Sequence, residues 1–159
     1  MVNITRMYMT QKKFDERVSK GKTISQDKLT LAINVEMHEM INAIGVWKWW
    51  KKSATLDKEK ILDELADVMA FWLCTLDNIG NDSTAEYFTS LFIKDLDKFN
   101  PIPVEELQPF NGRINYEFVL NMIRCYKCCQ YYLDITPEDL QEAYLKKMNI
   151  NNERQDNNY

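Results

Sequence analysis

Residues Asp57–Ile79 read DKEKILDELADVMAFWLCTLDNI, and this segment is the strongest indicator of the fold. Its apolar residues recur at helical spacing and cover most of the circumference of a helix. These apolar positions are Ile61, Leu62, Leu65, Val68, Met69, Trp72, Leu73 and Leu76. The following Gly80-Asn81 pair is typical of a helix end. A helix that is apolar on nearly every side belongs in the middle of a bundle, so we predict a central helix here.

The rest of the chain also favours helix. Four glycines and four prolines among 159 residues leave few strong helix breakers. Capping signals and apolar periodicity predict five further helices. They cover about Met9–Val18, Thr23–Trp49, Ser83–Leu96 and Tyr116–Leu133, with a last one that begins at Thr136. We therefore predict an all-α fold, with residues 1–159 forming a single domain built as a bundle of about six helices.

Two segments do not follow these helical patterns. Pro101, Pro103 and Pro109 interrupt residues 100–112, which are predicted to form an extended connector or a short helical turn. Residues 149–159 form a very polar C-terminal tail, for which a solvated and frayed end is the usual structure.

Charge and hydropathy exclude several function classes. Lys and Arg number 20 and Asp and Glu number 24, so the formal net charge of -4 disfavours nucleic-acid binding. No apolar run is long enough for a membrane span, and the first residues lack the apolar core of a signal peptide. We therefore expect a cytoplasmic protein that binds neither nucleic acid nor membrane. In that reducing compartment the four cysteines are predicted to be small buried residues rather than disulfides or zinc ligands.

Two acidic pairs lie on the predicted second and third helices. Glu36 and Glu39 are three residues apart, as are Glu64 and Asp67, so each pair projects from one helical face. If the two helices are antiparallel neighbours, the four carboxylates converge on one cleft. Hard divalent cations such as Mg²⁺ or Mn²⁺ would offset their charge, bind a polyphosphate and activate water. The alternative is that both pairs stay hydrated on surface helices, and the spacing alone leaves both interpretations open.

With the residues around them, these acids resemble a known family. Glu36-x-x-Glu39 is followed by the motif WKWWK at residues 47–51 and by DELADVMAF at residues 63–71. The arrangement resembles the dimeric, all-α dUTPases of bacteria, phages and kinetoplastids, within the MazG-like superfamily of all-α nucleoside triphosphate pyrophosphohydrolases. Four matching acids hold magnesium in that superfamily. The resemblance therefore implies that Glu36, Glu39, Glu64 and Asp67 are the catalytic metal ligands.

Segments near both ends of the chain add to the resemblance. The segment Gln11–Val18 is similar to a helix of phage dimeric dUTPases whose glutamine reads the uracil edge. The segment Tyr144–Asn157 resembles the closing motif of the family, in which a lysine, an asparagine and an arginine meet the substrate. The resemblance implies that base and sugar are bound by Gln11, Trp50, Phe71 and Asn151. It also implies that phosphate charge is neutralised by Lys48, Lys51, Lys147 and Arg154.

The resemblance implies magnesium-dependent hydrolysis of dUTP to dUMP and pyrophosphate. It implies two or more Mg²⁺ ions, for which Mn²⁺ is a possible substitute, with Glu36 orienting the attacking water. It also implies a homodimer that accepts dUDP. Two alternatives remain: a related pyrophosphohydrolase acting on dCTP or another deoxynucleotide, and a catalytically inactive helical protein-binding module. The aromatic residues have a structural alternative, since at least one tryptophan of residues 47–50 is expected in the core, and Phe71 suits the core equally well.

Overall fold

The computed structural model describes residues 1–53 and 55–158, and all of their regular elements are helical. Six α-helices and two short 3₁₀ turns form within this part of the chain, which confirms the predicted all-α bundle. The helices are α1 (Ile4–Ser19), α2 (Gln26–Ile44), α3 (Lys58–Asn78), α4 (Asp82–Asp95), α5 (Tyr116–Tyr132) and α6 (Pro137–Asp156). Among the described residues, none of the helices is both long and apolar enough to cross a membrane.

Helix α3 is the centre of the bundle, as its apolar circumference predicts. It packs against all five other α-helices, and twelve of its residues are buried. Trp72 shows how the centre is fixed. Its indole Nε1 donates to the backbone carbonyl of Phe118 at 2.9 Å, and its ring stacks on the Phe118 ring with centroids 5.2 Å apart. The buried indole is therefore both packed and hydrogen-bonded, as a buried polar group must be.

The N-termini of three helices differ from the sequence predictions because several polar residues are possible caps at each. Helix α1 begins five residues early, since Asn3 accepts a hydrogen bond from the Arg6 amide. Ser25 caps α2 instead of Thr23, and Asn81 caps α4 instead of Ser83. Helix α2 ends at Ile44 rather than near Trp49, because Gly45 takes a left-handed conformation with φ of 70°. The WKWWK motif consequently lies in a loop.

The proline-rich connector has the predicted structure. Residues 100–112 contain no α-helix, and one 3₁₀ turn forms at Val104–Glu106. Asn34 of α2 fastens the connector, because its amide Nδ2 donates to the Phe110 carbonyl at 3.0 Å and its Oδ1 accepts from the Phe110 amide at 2.9 Å. This reciprocal pair leaves the Phe110 ring buried in the core.

The polar C-terminal segment is helical rather than frayed. Helix α6 starts with a reciprocal capping box between Thr136 and Asp139 and continues to Asp156. Its last turns are held by Arg17 of α1, whose guanidinium lies 2.6 Å from the Asp156 carboxylate and 3.2 Å from the Asn152 side chain. The last residue of the predicted tail, Tyr159, lies outside the described residues.

The cysteines are buried and unpaired, as predicted. Cys74, Cys125, Cys128 and Cys129 all have free thiols. Burial raises the pKa of each thiol, that of Cys128 to about 12, so none of them is a ready thiolate ligand or nucleophile. They are small core residues.

Candidate active site

Three carboxylates meet where α2 packs along α3. Glu36, Glu64 and Asp67 each offer one oxygen, and these three oxygens lie within 4.8 Å of one another. The spacing of Glu64 and Asp67 puts both on one face of α3, and the packing of α2 brings Glu36 to that face. All three side chains are half-buried. We call this group the carboxylate cluster.

Glu39 lies at the edge of the carboxylate cluster rather than within it. Its side chain is exposed, and it does not belong to the group of oxygens within 4.8 Å. It is still close enough for its charge to raise the pKa of Glu36, Glu64 and Asp67. The structure thus gathers three of the four predicted acids and places the fourth beside them.

The negative charge of the cluster is only partly compensated by the protein. Burial raises the pKa of Glu36 to about 7, and the charges of Asp67 and Glu39 add to the rise. Burial likewise raises the pKa of Glu64 and of Asp67. The Oε2 atom of Glu36 is buried and has no hydrogen-bond partner among the described residues. A buried, unpartnered carboxylate oxygen beside two further carboxylates fits a hard divalent cation, which prefers oxygen ligands.

One cationic side chain reaches the cluster from α6. The Nζ of Lys147 lies 2.7 Å from Asp63 Oδ2 and 2.9 Å from Asp67 Oδ2, and the lysine is 9% exposed. The family resemblance implies a phosphate contact for Lys147 but no role for Asp63. The one sequence feature that could indicate Asp63 is its position four residues before Asp67, which places both on one face of α3. In the structure Asp63 shares the lysine with Asp67.

A cavity of about 210 Å³ adjoins the cluster between α1, α3 and α6. Asp67 lies on its wall, together with three residues that the sequence analysis assigned to base and sugar: Gln11, Phe71 and Asn151. Asp15 adds a second carboxyl group to the wall, and most of the other lining residues are apolar, including Phe14, Val18, Ile24, Ala70 and Met148. An apolar cavity with a few amide groups suits a flat heterocycle. We call it the α1–α3–α6 cavity.

The remaining predicted residues lie elsewhere in the described chain. Lys48, Trp50 and Lys51 lie in the loop after α2 and do not line the α1–α3–α6 cavity. The expectation that at least one tryptophan of this loop fills the core is wrong, because Trp47, Trp49 and Trp50 are 41%, 86% and 57% exposed. The Trp50 ring instead makes edge contacts with the other two. Arg154 is exposed on α6, three residues beyond Asn151.

A family model described as dUTPase matches residues 3–159, nearly the whole chain. The chain belongs to the all-α dUTPase family. No significant match was found among curated proteins.

Membership of the dUTPase family confirms three of the predictions. The protein is an enzyme, a dUTP diphosphatase in the class of hydrolases, and its substrate is a nucleotide. The family generally depends on divalent metals, in agreement with the chemistry of the carboxylate cluster.

We expect the metal-free dUTPase to lose thermal stability as pH rises from about 5 to 8. In the folded chain the pKa values of Glu36 and Asp15 are about 7. Unfolded, such groups release their protons near pH 4. Their contribution to stability is therefore complete below pH 4 and lost as pH rises through 7. Melting temperatures with a chelator at pH 5.5 and pH 8 measure the loss, and a higher value at pH 8 would contradict it.

Added Mg²⁺ should raise the melting temperature more at pH 8 than at pH 5.5, because a cation binds the ionised cluster. The Glu36→Gln variant is the matched control. It keeps the shape of the side chain but cannot ionise, so its metal-free melting temperature should depend less on pH and respond less to Mg²⁺.

Proposed function

We propose that this protein is a Mg²⁺-dependent dUTP pyrophosphatase that hydrolyses dUTP to dUMP and pyrophosphate and also accepts dUDP. The observation that supports this most directly is the carboxylate cluster of a dUTPase-family chain lying at the wall of an apolar cavity with amide groups. The reaction requires a cation site for the phosphates and a pocket for the base. The carboxylate cluster is the proposed cation site, and the cavity is the proposed base pocket.

Glu36, Glu39, Glu64 and Asp67 are the proposed ligands of two or more Mg²⁺ ions, with Mn²⁺ as a possible substitute. When bound, such ions neutralise polyphosphate charge and lower the pKa of water. Glu36 is the proposed general base for the water that attacks phosphorus, because its pKa of about 7 is close to the pH at which such a base is most effective.

Lys147 is proposed to exchange partners during the reaction. In the structure it offsets the charge of Asp63 and Asp67. Once cations offset the same carboxylates, the lysine can turn to the phosphates and stabilise the charge that develops on the leaving group. Arg154, Lys48 and Lys51 are proposed to add positive charge from the end of α6 and from the loop after α2.

Gln11, Phe71 and Asn151 are the proposed contacts to base and sugar, because all three line the α1–α3–α6 cavity. Trp50 is proposed as a further wall of the base pocket, which requires the exposed loop after α2 to approach the cavity. We also propose a cytoplasmic homodimer. Leu31 and Val35 are 64% and 46% exposed on one face of α2, and a second copy would cover this apolar face.

A panel of deoxynucleotides tests the proposed function. Purified protein is incubated with dUTP, dUDP, dCTP and dTTP, each with Mg²⁺ and again with excess chelator, and pyrophosphate or phosphate release is measured. We expect dUTP to have the highest kcat/KM and the chelator to abolish turnover. Equal turnover of dCTP and dUTP would favour the alternative of a broader deoxynucleotide pyrophosphohydrolase. Turnover of none of them would contradict the proposal.

A further inference from the structure

The side-chain amide of Gln11 has two fixed partners at the wall of the α1–α3–α6 cavity. Its Nε2 donates to Asp15 Oδ1 at 2.7 Å, and its Oε1 accepts from the Tyr144 hydroxyl at 2.9 Å. Gln11 is 3% exposed and Tyr144 is fully buried, whereas Asp15 is half-buried and itself lines the cavity. The amide is therefore held in one of its two flip orientations.

Of the two partners, Asp15 restricts the orientation of the Gln11 amide more strongly. An ionised carboxylate only accepts hydrogen bonds, whereas a phenol hydroxyl can donate or accept. The Tyr144 hydroxyl also lies 3.0 Å from the Met7 carbonyl oxygen, so it has an alternative acceptor. A flipped Gln11 amide would face the Asp15 carboxylate with its own carbonyl oxygen, so two acceptors would meet without a proton between them.

At mildly alkaline pH, Asp15 is mainly the ionised form that only accepts hydrogen bonds. Burial raises the pKa of Asp15 to about 7, the hydrogen bond from Gln11 opposes the rise, and the neighbouring Asp77 carboxyl adds to it. Above that value the carboxylate is the predominant form, and its second oxygen accepts no hydrogen bond from the described residues. The Gln11 amide is the strongest of the contacts that lower the pKa of Asp15, followed by the Cys74 thiol.

The orientation of a carboxamide decides which pyrimidine it can pair with. Uracil presents an N3–H donor beside a carbonyl acceptor, whereas cytosine presents an N3 acceptor beside an amino donor. The hydrogen bonds to Asp15 and Tyr144 use one N–H of Nε2 and one lone pair of Oε1, so one N–H and one lone pair remain available for a base. Uracil and cytosine bound in the same pose therefore require opposite orientations of the Gln11 amide, if each is to form two hydrogen bonds with it.

We propose that Asp15 is a positioning residue for base choice, which fixes the Gln11 amide in the orientation that serves uracil and rejects cytosine. The inference rests on the proposed function, since it assigns base selectivity to the same site. Asp15 acts through Gln11, and the dUTPase family alone does not assign it this role.

The test is a double-mutant cycle on Asp15→Asn and Gln11→Ala, with kcat/KM measured for dUTP and for dCTP at pH 8. Asparagine keeps the shape of Asp15 but can offer a donor or an acceptor, so it allows both orientations of the Gln11 amide. We expect Asp15→Asn to lower the dUTP-to-dCTP ratio by about tenfold or more, the effect of one misdirected hydrogen bond. In the Gln11→Ala background the same substitution should leave the ratio unchanged.

Structural damage lowers both kcat/KM values together and leaves their ratio intact, so the ratio isolates positioning. Removing a buried charge should also leave Asp15→Asn folded, and Asp15→Ser serves as a second variant should asparagine fail to fold. Tyr144→Phe, which keeps the obligate acceptor, is expected to lower the ratio by less than Asp15→Asn does.

An unchanged ratio in an active Asp15→Asn enzyme would overturn the inference and leave the proposed function standing. Independent, additive effects of Asp15→Asn and Gln11→Ala on the ratio would overturn it in the same way. A wild-type protein that hydrolyses dUTP and dCTP equally well would overturn it too, because no selectivity would exist to be set. A wild-type protein that hydrolyses neither nucleotide would remove the proposed function itself and the inference with it.

Discussion

Combining Glu64→Gln with Asp67→Asn is expected to lower Mg²⁺-dependent dUTP hydrolysis by about a thousandfold or more. Both substitutions preserve side-chain shape while removing charge from two of the three carboxylates that lie within 4.8 Å of one another. The remaining Glu36 and Glu39 provide too few oxygen atoms to hold two hard cations, because each such ion requires several oxygen ligands. Pyrophosphate release at saturating dUTP over a range of Mg²⁺ concentrations measures the effect.

A matched control removes the same charge elsewhere. Glu59 and Asp97 are exposed and lie outside the carboxylate cluster, so Glu59→Gln with Asp97→Asn should retain near wild-type activity. The active-site double variant should also be at least as stable as wild type without metal, since burial and mutual repulsion raise the pKa of both acids. Wild-type, Mg²⁺-dependent turnover by this variant would contradict the assignment of the cluster.

Lys147→Met is expected to lower kcat/KM for dUTP by about a hundredfold. Methionine keeps most of the apolar stem but cannot offset either the carboxylates or the phosphates. The buried ammonium lies within 2.9 Å of both Asp63 and Asp67, so its loss should also lower the metal-free free energy of unfolding by about 1–3 kcal/mol. Urea denaturation with chelator measures the second effect, and steady-state kinetics with Mg²⁺ measures the first.

The neighbouring lysine provides the control for Lys147. Lys146 is exposed and pairs at 3.0 Å with the equally exposed Glu59, so Lys146→Met should change neither quantity much. Equal activity of the two lysine variants would refute the phosphate role of Lys147. Addition of Mg²⁺ should restore part of the stability of Lys147→Met, because cations and the lysine compensate the same Asp67.

The fold could largely be predicted from α3. An all-round apolar helix must be surrounded, and the remaining amphipathic segments were long enough to surround it. The helix ends were less predictable, because neighbouring polar residues such as Thr23 and Ser25 have similar capping ability. The helical structure of the polar end of α6 was the hardest feature to predict, because this end contacts Arg17 of α1, which is distant in sequence.

In the site, too, local features were predictable and contacts between distant segments were not. Helical spacing is enough to put Glu64 and Asp67 on one face of α3. The resemblance to dUTPases pointed to Gln11, Phe71 and Asn151, which the structure brings to one cavity. Contacts between segments that are distant in sequence could not be predicted. Lys147 shares its charge between two acids of α3, and no local pattern reveals that arrangement. The exposed position of Trp50 follows from the early end of α2 at Gly45, one residue with a left-handed backbone.

The most direct test of magnesium-dependent dUTP hydrolysis at the carboxylate cluster is product analysis from one substrate. Wild-type protein is incubated with dUTP in excess chelator, then with Mg²⁺ restored, and the nucleotides and pyrophosphate are quantified. We predict no turnover in chelator, followed by equal amounts of dUMP and pyrophosphate once Mg²⁺ is added. Formation of dUDP and phosphate, or hydrolysis that continues in the chelator, would contradict the proposed reaction.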